Sequence, residues 1–400
     1  MSWNKVPIKT ICKGIYDGPH ATPPESSSGA VFLGIPNFIN GQLDLSNIRY
    51  ISEQDLPKWT KRVTPQPNDI VFSYEATLNL YAIIPKGFWG CLGRRMALIR
   101  VDERKADYKF LYYYFYSTAW RSVIQEHTVT GATVDRIPLV SFPDFLVELP
   151  DLPTQRRIAS ILSAYDALIE NSRRQSKLLE EAAQRLYREW FVELRFPGHE
   201  SVKVVDGVPE GWMKGTVDNI VKLLSGYPFK SSEYVSSGKY RLITIKNVKD
   251  GEFSPDNVDY IDQLPDKVPS HCILTEGDIL LSLTGNIGRV CIVNGYNYLL
   301  NQRVAKLQTL HPAYAYCMFR SKEMLNKMTA LSNGVAQQNL SPIRAEKIRI
   351  LIPSSNLLFQ FKNIVEPIIS QIIILNNQIT FACEARDRLL PELMDGEMEV

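Results

Sequence analysis

The sequence lacks the apolar segments that membrane and secreted proteins carry. No apolar run in the 400 residues approaches the roughly 20 residues that span a bilayer, and the amino-terminal stretch MSWNKVPIKT contains no apolar signal segment. We therefore expect a cytoplasmic protein. A hydrophobic content of 45% over this length is sufficient for two or three packed domains.

Motifs for metals, cofactors and catalysis are also missing. The six cysteines form no CxxC pair and the five histidines do not cluster with them, so reduced, buried thiols are the simpler interpretation and no metal is expected. Neither a GxxxxGK[ST] loop nor the polar-Pro-Pro-aromatic tetrad of a methyltransferase occurs. Asp69 with Glu103 and Lys105 is the nearest approach to a nuclease site, but such a charged turn is usually solvated. The sequence predicts a protein that binds without catalysing and needs no cofactor.

Positive charge is scarce for a nucleic-acid-binding protein. The formal net charge is only +2, whereas a protein that held nucleic acid alone would usually be more basic. An interpretation that includes DNA therefore requires a partner that supplies phosphate contacts. The isolated chain is expected to bind DNA weakly, and tightly only with that partner.

Two long helices are predicted, and the second repeats the first. The first has a heptad pattern typical of a coiled coil, with seam residues Ile158, Tyr165, Ser172, Leu179 and Leu186 and, three residues after the first four, Ile161, Leu168, Gln175 and Ala182. The same seam recurs 203 residues later at Phe361, Ile368, Leu375, Ala382 and Leu389. A helix of roughly 40 residues is about 60 Å long at 1.5 Å per residue.

The segments that precede the helices repeat as well. Trp3 corresponds to Trp212, Asp69 to Asp278, and Pro150 to Pro353, in the same order along the chain. Short apolar runs bounded by turn residues predict strands, and the aromatic run at 110–120 predicts one helix, so each copy is an α+β domain. The predicted organisation is a first domain at 1–150, a central helix at 151–195, an extended linker at 196–211, a second domain at 212–353 and a final helix at 354–400.

Duplication also predicts how the helices pair. Two equivalent domains that face one DNA duplex are related by a twofold axis, which makes the helices antiparallel. The polar residues 171–175 then lie opposite 376–378 and specify the register, because slipped registers would leave buried polar groups unpaired. The domains are expected one to one and a half DNA turns apart, and four residues inserted in the helix should lengthen the preferred spacer.

Two loops in each domain combine small residues with polar side chains that suit DNA. One spans 282–288 and corresponds to 73–79, and the other spans 334–339 and corresponds to 131–136. Gln and Asn can form two hydrogen bonds to adenine and Arg two to guanine. A β-turn and a helix N-cap are competing interpretations of these two loops.

Further candidates surround these loops and lie on the last helix. Asp17 and its neighbours form one polar loop, with a counterpart near Tyr227, and the apolar surplus at 368–379 predicts a surface that another protein covers. The candidate partner-binding residues are Ile373 and Ile374. The candidate DNA-binding residues are Asp17, His20, Thr22, Ser73, Tyr74, Arg94, Arg95, Thr133, Tyr227, Lys230, Thr284, Asn286, Arg303, Gln337, Gln338 and Asn339.

Several longer motifs together indicate a family. The second half contains GDILLSLTGNIG, GVAQQNL and NLSPIRAEKIRILIP, the first half contains DGPHATP, NDIVFSYEATL and RRMALI, and YREWFVELRFPGHE with VPEGW joins the halves. With two α+β domains alternating with two long helices, the chain resembles the specificity subunit of a Type I restriction–modification system over essentially its full length.

The resemblance implies a division of labour. Each domain would be a target recognition domain that reads one half of a split DNA sequence, while the helices fix the separation and bind two modification (methyltransferase) subunits, which restriction subunits can join. Ala76, Asn79 and residues 133–135 depart from the expected loop patterns. The alternative is a coiled-coil scaffold with duplicated protein-binding or sugar-binding domains.

Overall fold

The computed structural model describes residues 3–131, 134–332 and 339–398. They form two compact units, each with part of both long helices. The first unit extends to Leu168 and includes the chain again from Ala382, and the second unit spans Ile169–Phe381. Each unit therefore has its own core.

The strands and helices of the two domains are short. The first domain contains β1 (Asn4–Pro7), β2 (Cys12–Asp17), β3 (Ala30–Leu33), β4 (Phe38–Ile39), β5 (Gln42–Leu43), β6 (Arg49–Ile51), α1 (Leu56–Trp59), β7 (Ile70–Ser73), β8 (Tyr81–Ile83), β9 (Gly90–Leu92), β10 (Met96–Val101), α2 (Tyr108–Tyr114), α3 (Thr118–His127) and β11 (Leu146–Leu149). The long helix α4 (Leu152–Tyr187) follows, and then β12 (Val204–Val205) and β13 (Val208–Pro209). The second domain contains β14 (Met213–Thr216), β15 (Val221–Ser225), β16 (Tyr240–Ile243), β17 (Tyr260–Ile261), β18 (Ile273–Leu274), β19 (Ile279–Ser282), β20 (Val290–Ile292), β21 (Tyr298–Leu300), β22 (Val304–Thr309), α5 (Pro312–Arg320), α6 (Lys322–Leu331), α7 (Pro342–Glu346) and β23 (Arg349–Ile352), before the long helix α8 (Ser355–Met394).

The first domain has three layers, because its central sheet is apolar on both faces. That sheet has the order β2-β10-β7-β8 and is antiparallel throughout. Along β7, Ile70 and Phe72 pack in one core with helices α2 and α3, while Val71 packs in another core with Leu33 of β3. Alternating directions along a strand thus place the helices on one face and the sheet β6-β3-β9 on the other.

The second domain has the same arrangement. Its central sheet has the order β15-β22-β19-β20, and β16 pairs in parallel with β21 as β3 pairs with β9. Ile279 and Leu281 face the helices, whereas Leu280 faces the second sheet. The duplicated α+β fold that the sequence predicts is confirmed.

The aromatic run at 110–120 is two helices instead of the single helix predicted. Ser117 is the N-cap of α3, and its hydroxyl accepts a hydrogen bond from the Trp120 backbone N–H at 3.2 Å. Ser321 plays the same part at the start of α6. A serine that caps a new helix interrupts the run, which length alone does not reveal.

The segment at 196–211 is more ordered than the predicted extended linker. It contains the short hairpin of β12 and β13, and Phe196 is buried against Trp212 with 5.5 Å between the ring centroids. Burial of these two rings joins the segment to the core of the second unit.

The two long helices pack through a buried heptad seam. One of the two series of residues that form the seam lies one position later than predicted. The series through Ile158 and Ser172 is confirmed, since both residues are buried. The second half of the seam follows four residues later instead of three, so Ile169 is 3% exposed and Leu168 is 37% exposed. The predicted seam residues Leu168, Gln175 and Ala182 are exposed, and Leu162, Ile169, Ser176 and Ala183 replace them on the packed face. The other helix shows the same shift, with Val365, Ile372 and Leu393 buried.

The helices pack antiparallel, as predicted. In the second unit, the Ser172 hydroxyl donates to the Gln378 amide oxygen at 3.2 Å, and the Ser176 hydroxyl donates to the Asn376 amide oxygen at 3.3 Å. Later residues of α4 therefore meet earlier residues of α8. In the first unit the same direction appears in the core, where Ile158 of α4 packs with Leu393 of α8. Of the polar stretch predicted at 171–175, Ser172 contacts the predicted 376–378 segment, whereas the second contact comes from Ser176, just outside that stretch.

Helix α8 corrects the expectation that no segment of the chain is apolar over the length that spans a bilayer. Among the described residues it is the one helix whose length and composition alone would allow it to cross a membrane, with 28% of its most apolar window buried. Its polar residues bond to protein groups, since the Asn377 side chain donates to the Glu276 carboxylate at 2.7 Å. We interpret its apolar surplus as packing surface.

Candidate DNA interface

The two domains present loops of similar backbone conformation after the central strands β7 and β19. In each, a buried serine at the strand end donates to the carbonyl four residues on, Ser73 to Thr77 and Ser282 to Asn286 at 2.5 Å. Positive φ angles follow at equivalent positions, 72° at Ala76 and 71° at Gly285, and 61° at Asn79 and 81° at Gly288. The serine hydroxyls are therefore occupied in shaping the loops, which corrects the expectation that Ser73 faces DNA.

Three separate segments meet at each loop. In the second domain the backbone N–H of Leu283 donates to the Arg303 carbonyl at 3.1 Å, and Thr284 forms a β-bridge with Asn339. In the first domain the backbone N–H of Tyr74 donates to the Arg95 carbonyl at 3.1 Å, and Glu75 forms the matching bridge with Arg136. Residues distant in the sequence are thereby brought to one surface.

The second domain has an open cleft at this meeting point. Its volume is about 580 Å³, and the lining residues are Ser225, Leu283, Thr284, Gln302, Arg303, Asn339, Leu340, Ser341 and Pro342. The Thr284 hydroxyl is buried and has no hydrogen-bond partner among the described residues. Arg303 is exposed and forms no ion pair within the described part of the chain. The cleft therefore offers an unpaired positive charge at Arg303 beside the unsatisfied hydroxyl of Thr284.

Asn286 lies outside that cleft. It is exposed at the tip of the loop, and its amide is 3.1 Å from the Arg289 guanidinium when its oxygen is oriented to accept. The structure brings together Thr284, Arg303 and Asn339. Gln337 and Gln338 lie outside the described residues, as does Thr133 of the first domain.

The first domain carries a different set of charges at the equivalent place. Arg95 is ion-paired with Glu75 at 3.0 Å, so its charge is neutralised, whereas Arg94 is exposed. Tyr74 is buried, and its hydroxyl has no partner among the described residues. Burial, together with the nearby carboxylates of Asp17 and Glu75, raises the pKa of Tyr74 above its ordinary value. The hydroxyl stays protonated at neutral pH and can donate a hydrogen bond.

The polar loop after β2 is held by its own ion pairs. Asp17 lies 3.0 Å from the His20 ring and is also paired with Arg62. His20 and Thr22 are exposed. In the second domain Tyr227 packs edge-on against Phe229 with 4.9 Å between ring centroids, and Lys230 is exposed. The Asp17 carboxylate is therefore engaged by His20 and Arg62, and it orients these two side chains.

The two candidate partner-binding residues have different environments. Ile374 is 58% exposed on α8. Ile373 is partly buried against the core of the second unit, so only part of its surface is free for another protein. A charged substitution at Ile374 therefore tests docking with less disturbance of the core than one at Ile373.

Residues that complete the cleft were not predicted from the sequence. Gln302 precedes Arg303 and Ser225 ends β15, and both line the cleft with Ser341. Its position next to the candidate Arg303 in the sequence is a usable signal for Gln302. Nothing in the sequence joins Ser225 to a loop almost 60 residues later, because that proximity follows from the pairing of β15 with β22.

The residues that come nearest to a nuclease or metal site form structural contacts instead. Asp69 is buried and paired with Arg100 at 2.7 Å, and Lys105 donates to the Thr10 carbonyl at 2.9 Å. Within the described ranges no three His, Cys, Asp or Glu side chains lie close enough to hold a metal ion. None of the six cysteines, all of which lie in the described ranges, forms a disulfide.

The repeated architecture has a counterpart among known protein families. The family described as Type I restriction modification DNA specificity domain matches residues 3–181 and again residues 209–380. The chain belongs to this family. Specificity subunits of the family recognise DNA within Type I restriction–modification complexes and are not themselves catalytic. The alternative of a protein- or sugar-binding scaffold is not favoured.

Individual relatives agree with the family assignment. The Type I restriction enzyme MjaIX specificity subunit of Methanocaldococcus jannaschii is 25% identical over 89% of this chain and 85% of that protein. The HindI specificity subunit of Haemophilus influenzae is 22% identical over 67% and 72%. The crystal structure of a Type I restriction–modification S subunit from M. genitalium covers 98% of this specificity subunit and 96% of its own chain, with a TM-score of 0.62 at 16% identity, which shows a shared fold.

Proposed function

We propose that each domain of this specificity subunit reads one half of a bipartite DNA target in the cytoplasm. The observation that supports this most strongly is that one scaffold carries different chemistry at equivalent positions. Glu75 neutralises Arg95 in the first domain, whereas neutral Thr284 leaves Arg303 uncompensated in the second. An identical frame with different polar groups suits two half-sites of different sequence.

The proposal assigns DNA contacts to the described candidates on these surfaces. Arg303 and Asn339, with the unpartnered hydroxyl of Thr284, face a base edge or phosphate from the second domain. Arg94, His20 and Thr22 do so from the first domain. The remaining candidates in the second domain, Asn286, Tyr227 and Lys230, border the same face, and Gln337, Gln338 and Thr133 stay predictions.

The helices are proposed to fix the separation of the half-sites and to dock two modification subunits, which restriction subunits can join. The polar pairs Ser172 with Gln378 and Ser176 with Asn376 support a single register, because a slip would leave these partly buried groups unpaired. Exposed apolar side chains on α8, including Ile374 and Phe381, support docking of another protein on this helix.

Substitution of Arg303 tests the DNA contact. In the complex with the modification subunit, Arg303→Ala should weaken binding by about 1–3 kcal/mol and relax preference in one half-site only if the side chain reads a base. If it contacts phosphate, binding to all sequences weakens alike and the salt dependence falls by about one ion. Fluorescence anisotropy on duplexes altered in one half at a time separates the two results.

Arg349→Ala is the matched control. Arg349 is an exposed arginine of β23 in the same domain and does not line the cleft. Removal of its charge should leave the half-site preference unchanged. Equal effects of both substitutions, or no effect of either, would remove Arg303 from the proposed interface.

A further inference from the structure

A partly buried polar cluster joins the first domain to the long helices within the first unit. The Tyr113 hydroxyl on α2 donates to one oxygen of the Asp166 carboxylate on α4 at 2.5 Å. Arg386 on α8 donates to the other oxygen at 2.7 Å. The side chains of Asp166 and Arg386 are only 22% and 26% exposed. One carboxylate thus holds a domain helix and both long helices together.

The second unit contains a cluster of the same chemistry. The Tyr316 hydroxyl on α5 donates to one oxygen of the Glu180 carboxylate on α4 at 2.8 Å, and Arg320 is ion-paired with the other oxygen. The Arg320 and Glu180 side chains are 12% and 15% exposed. Arg320 also contacts Asp250 at 3.2 Å. A tyrosine and an arginine again occupy the two oxygens of a carboxylate on α4.

Duplication does not account for the resemblance between these clusters. Tyr113 and Tyr316 correspond at the repeat spacing of 203 residues, but the equivalent of Asp166 is Ile369 and that of Glu180 is Cys383. The two arginines also come from different elements, α8 and α5. Around equivalent tyrosines, the carboxylate and the arginine have therefore come from non-equivalent positions in the two units, which indicates a requirement for this contact between each domain and α4.

We infer that each unit requires contacts that depend on direction. Apolar packing between a domain and a helix is non-directional and tolerates small rotations, whereas hydrogen bonds weaken steeply with misalignment. A partly buried carboxylate that loses its arginine is left with an uncompensated charge, and one that loses its tyrosine is left with one hydrogen bond fewer. Rotation of the domain on its helices is consequently opposed by all the bonds of the cluster at once.

We propose that these clusters, here called the joints, hold each recognition domain in one orientation on the long helices and so act as positioning elements for DNA recognition. The consequence for DNA rests on the function proposed above. The positioning residues of the two joints are Tyr113, Asp166, Arg386, Tyr316, Glu180 and Arg320.

The orientation itself can be measured without DNA. Spin labels at Lys86→Cys on the first domain and Arg157→Cys on α4, in the full chain with Cys12→Ser and Cys383→Ser, report the distribution of distances within the first unit; both labelled positions are exposed. Tyr113→Phe should broaden the distribution. Tyr112→Phe is the matched control, because this neighbouring buried tyrosine donates instead to the Gly41 carbonyl inside the domain at 2.8 Å. Unchanged widths in both variants, or equal broadening in both, would overturn the proposal.

A second measurement connects the joint to recognition. The complex with the modification subunit is titrated with duplexes that carry the intact half-sites at several spacer lengths. Tyr113→Phe should bring the ratio of affinities for correct and altered spacers towards one, with each half-site sequence preference kept; Tyr112→Phe should keep the ratio. A ratio unchanged by Tyr113→Phe contradicts the positioning role. If the wild-type complex shows no spacer preference, the bipartite function fails, while the spin-label widths still decide whether the joint fixes orientation.

Discussion

Ala76 adopts a left-handed backbone conformation, and the equivalent residue in the second domain is a glycine. Its φ is 72°, against 71° at Gly285, and the residue is exposed, so its methyl group contributes little packing. Ala76→Gly should therefore raise the free energy of unfolding by about 0.5–1 kcal/mol, since relief of the strain exceeds the added freedom of the unfolded chain. Urea denaturation measures the change.

The reverse substitution is the control. A methyl group at Gly285 would meet only the Ile245 side chain at 3.5 Å, an ordinary contact, so Gly285→Ala should cost about 1 kcal/mol through backbone strain alone. Destabilisation by Ala76→Gly would contradict the assigned loop conformation.

The loop composition predicts which segments supply the candidate DNA-binding residues but not whether their charges are paired. Thr284, Arg303 and Asn339 were predicted separately and line one cleft. Arg95 resembles Arg303 in the sequence, yet Glu75 neutralises it. The pairing depends on a contact across 20 residues, which follows from strand register and cannot be inferred from either loop alone.

At the scale of elements, the corrected helix seam makes a sharp prediction for two adjacent residues. Ile169 is 3% exposed and Leu168 is 37% exposed. Ile169→Ala should destabilise the protein by about 2–5 kcal/mol through loss of burial and a residual cavity. Leu168→Ala should cost less than about 1 kcal/mol. Thermal or urea unfolding of both variants tests the seam. A larger loss of stability for Leu168→Ala than for Ile169→Ala would show that the seam runs through Leu168, as the sequence predicts.

The heptad was visible in the sequence because apolar residues recur every seven positions. Its second half was misplaced because a coiled-coil seam alternates steps of three and four, and Leu168 and Ile169 are both apolar. The partner helix decides between them. The apolar run that follows Asn68-Asp69 predicts a strand at Ile70–Ser73, and β7 has these bounds. The helix break at Ser117, in contrast, depends on a capping hydrogen bond.

For the whole molecule, one prediction concerns assembly. Ile374 is 58% exposed on α8, so a charge there leaves the core intact but opposes an apolar contact with another protein. Ile374→Glu should abolish assembly with the modification subunit while changing the stability of the isolated chain by no more than about 0.5 kcal/mol. Ile374→Leu, which keeps the apolar surface, should assemble normally. Size-exclusion chromatography with light scattering distinguishes the variants, and an intact complex with Ile374→Glu would place the docking surface elsewhere.

The claim that two domains read two separated half-sites is tested most directly by selection from random duplex DNA. The complex of this chain with its modification subunit should enrich duplexes that share two short defined segments separated by a constant number of unspecified base pairs. One heptad added to each long helix lengthens it by about 10 Å, so the enriched spacer should grow by about three base pairs. Enrichment of a single uninterrupted sequence, or a spacer that stays the same in the lengthened variant, would contradict the account.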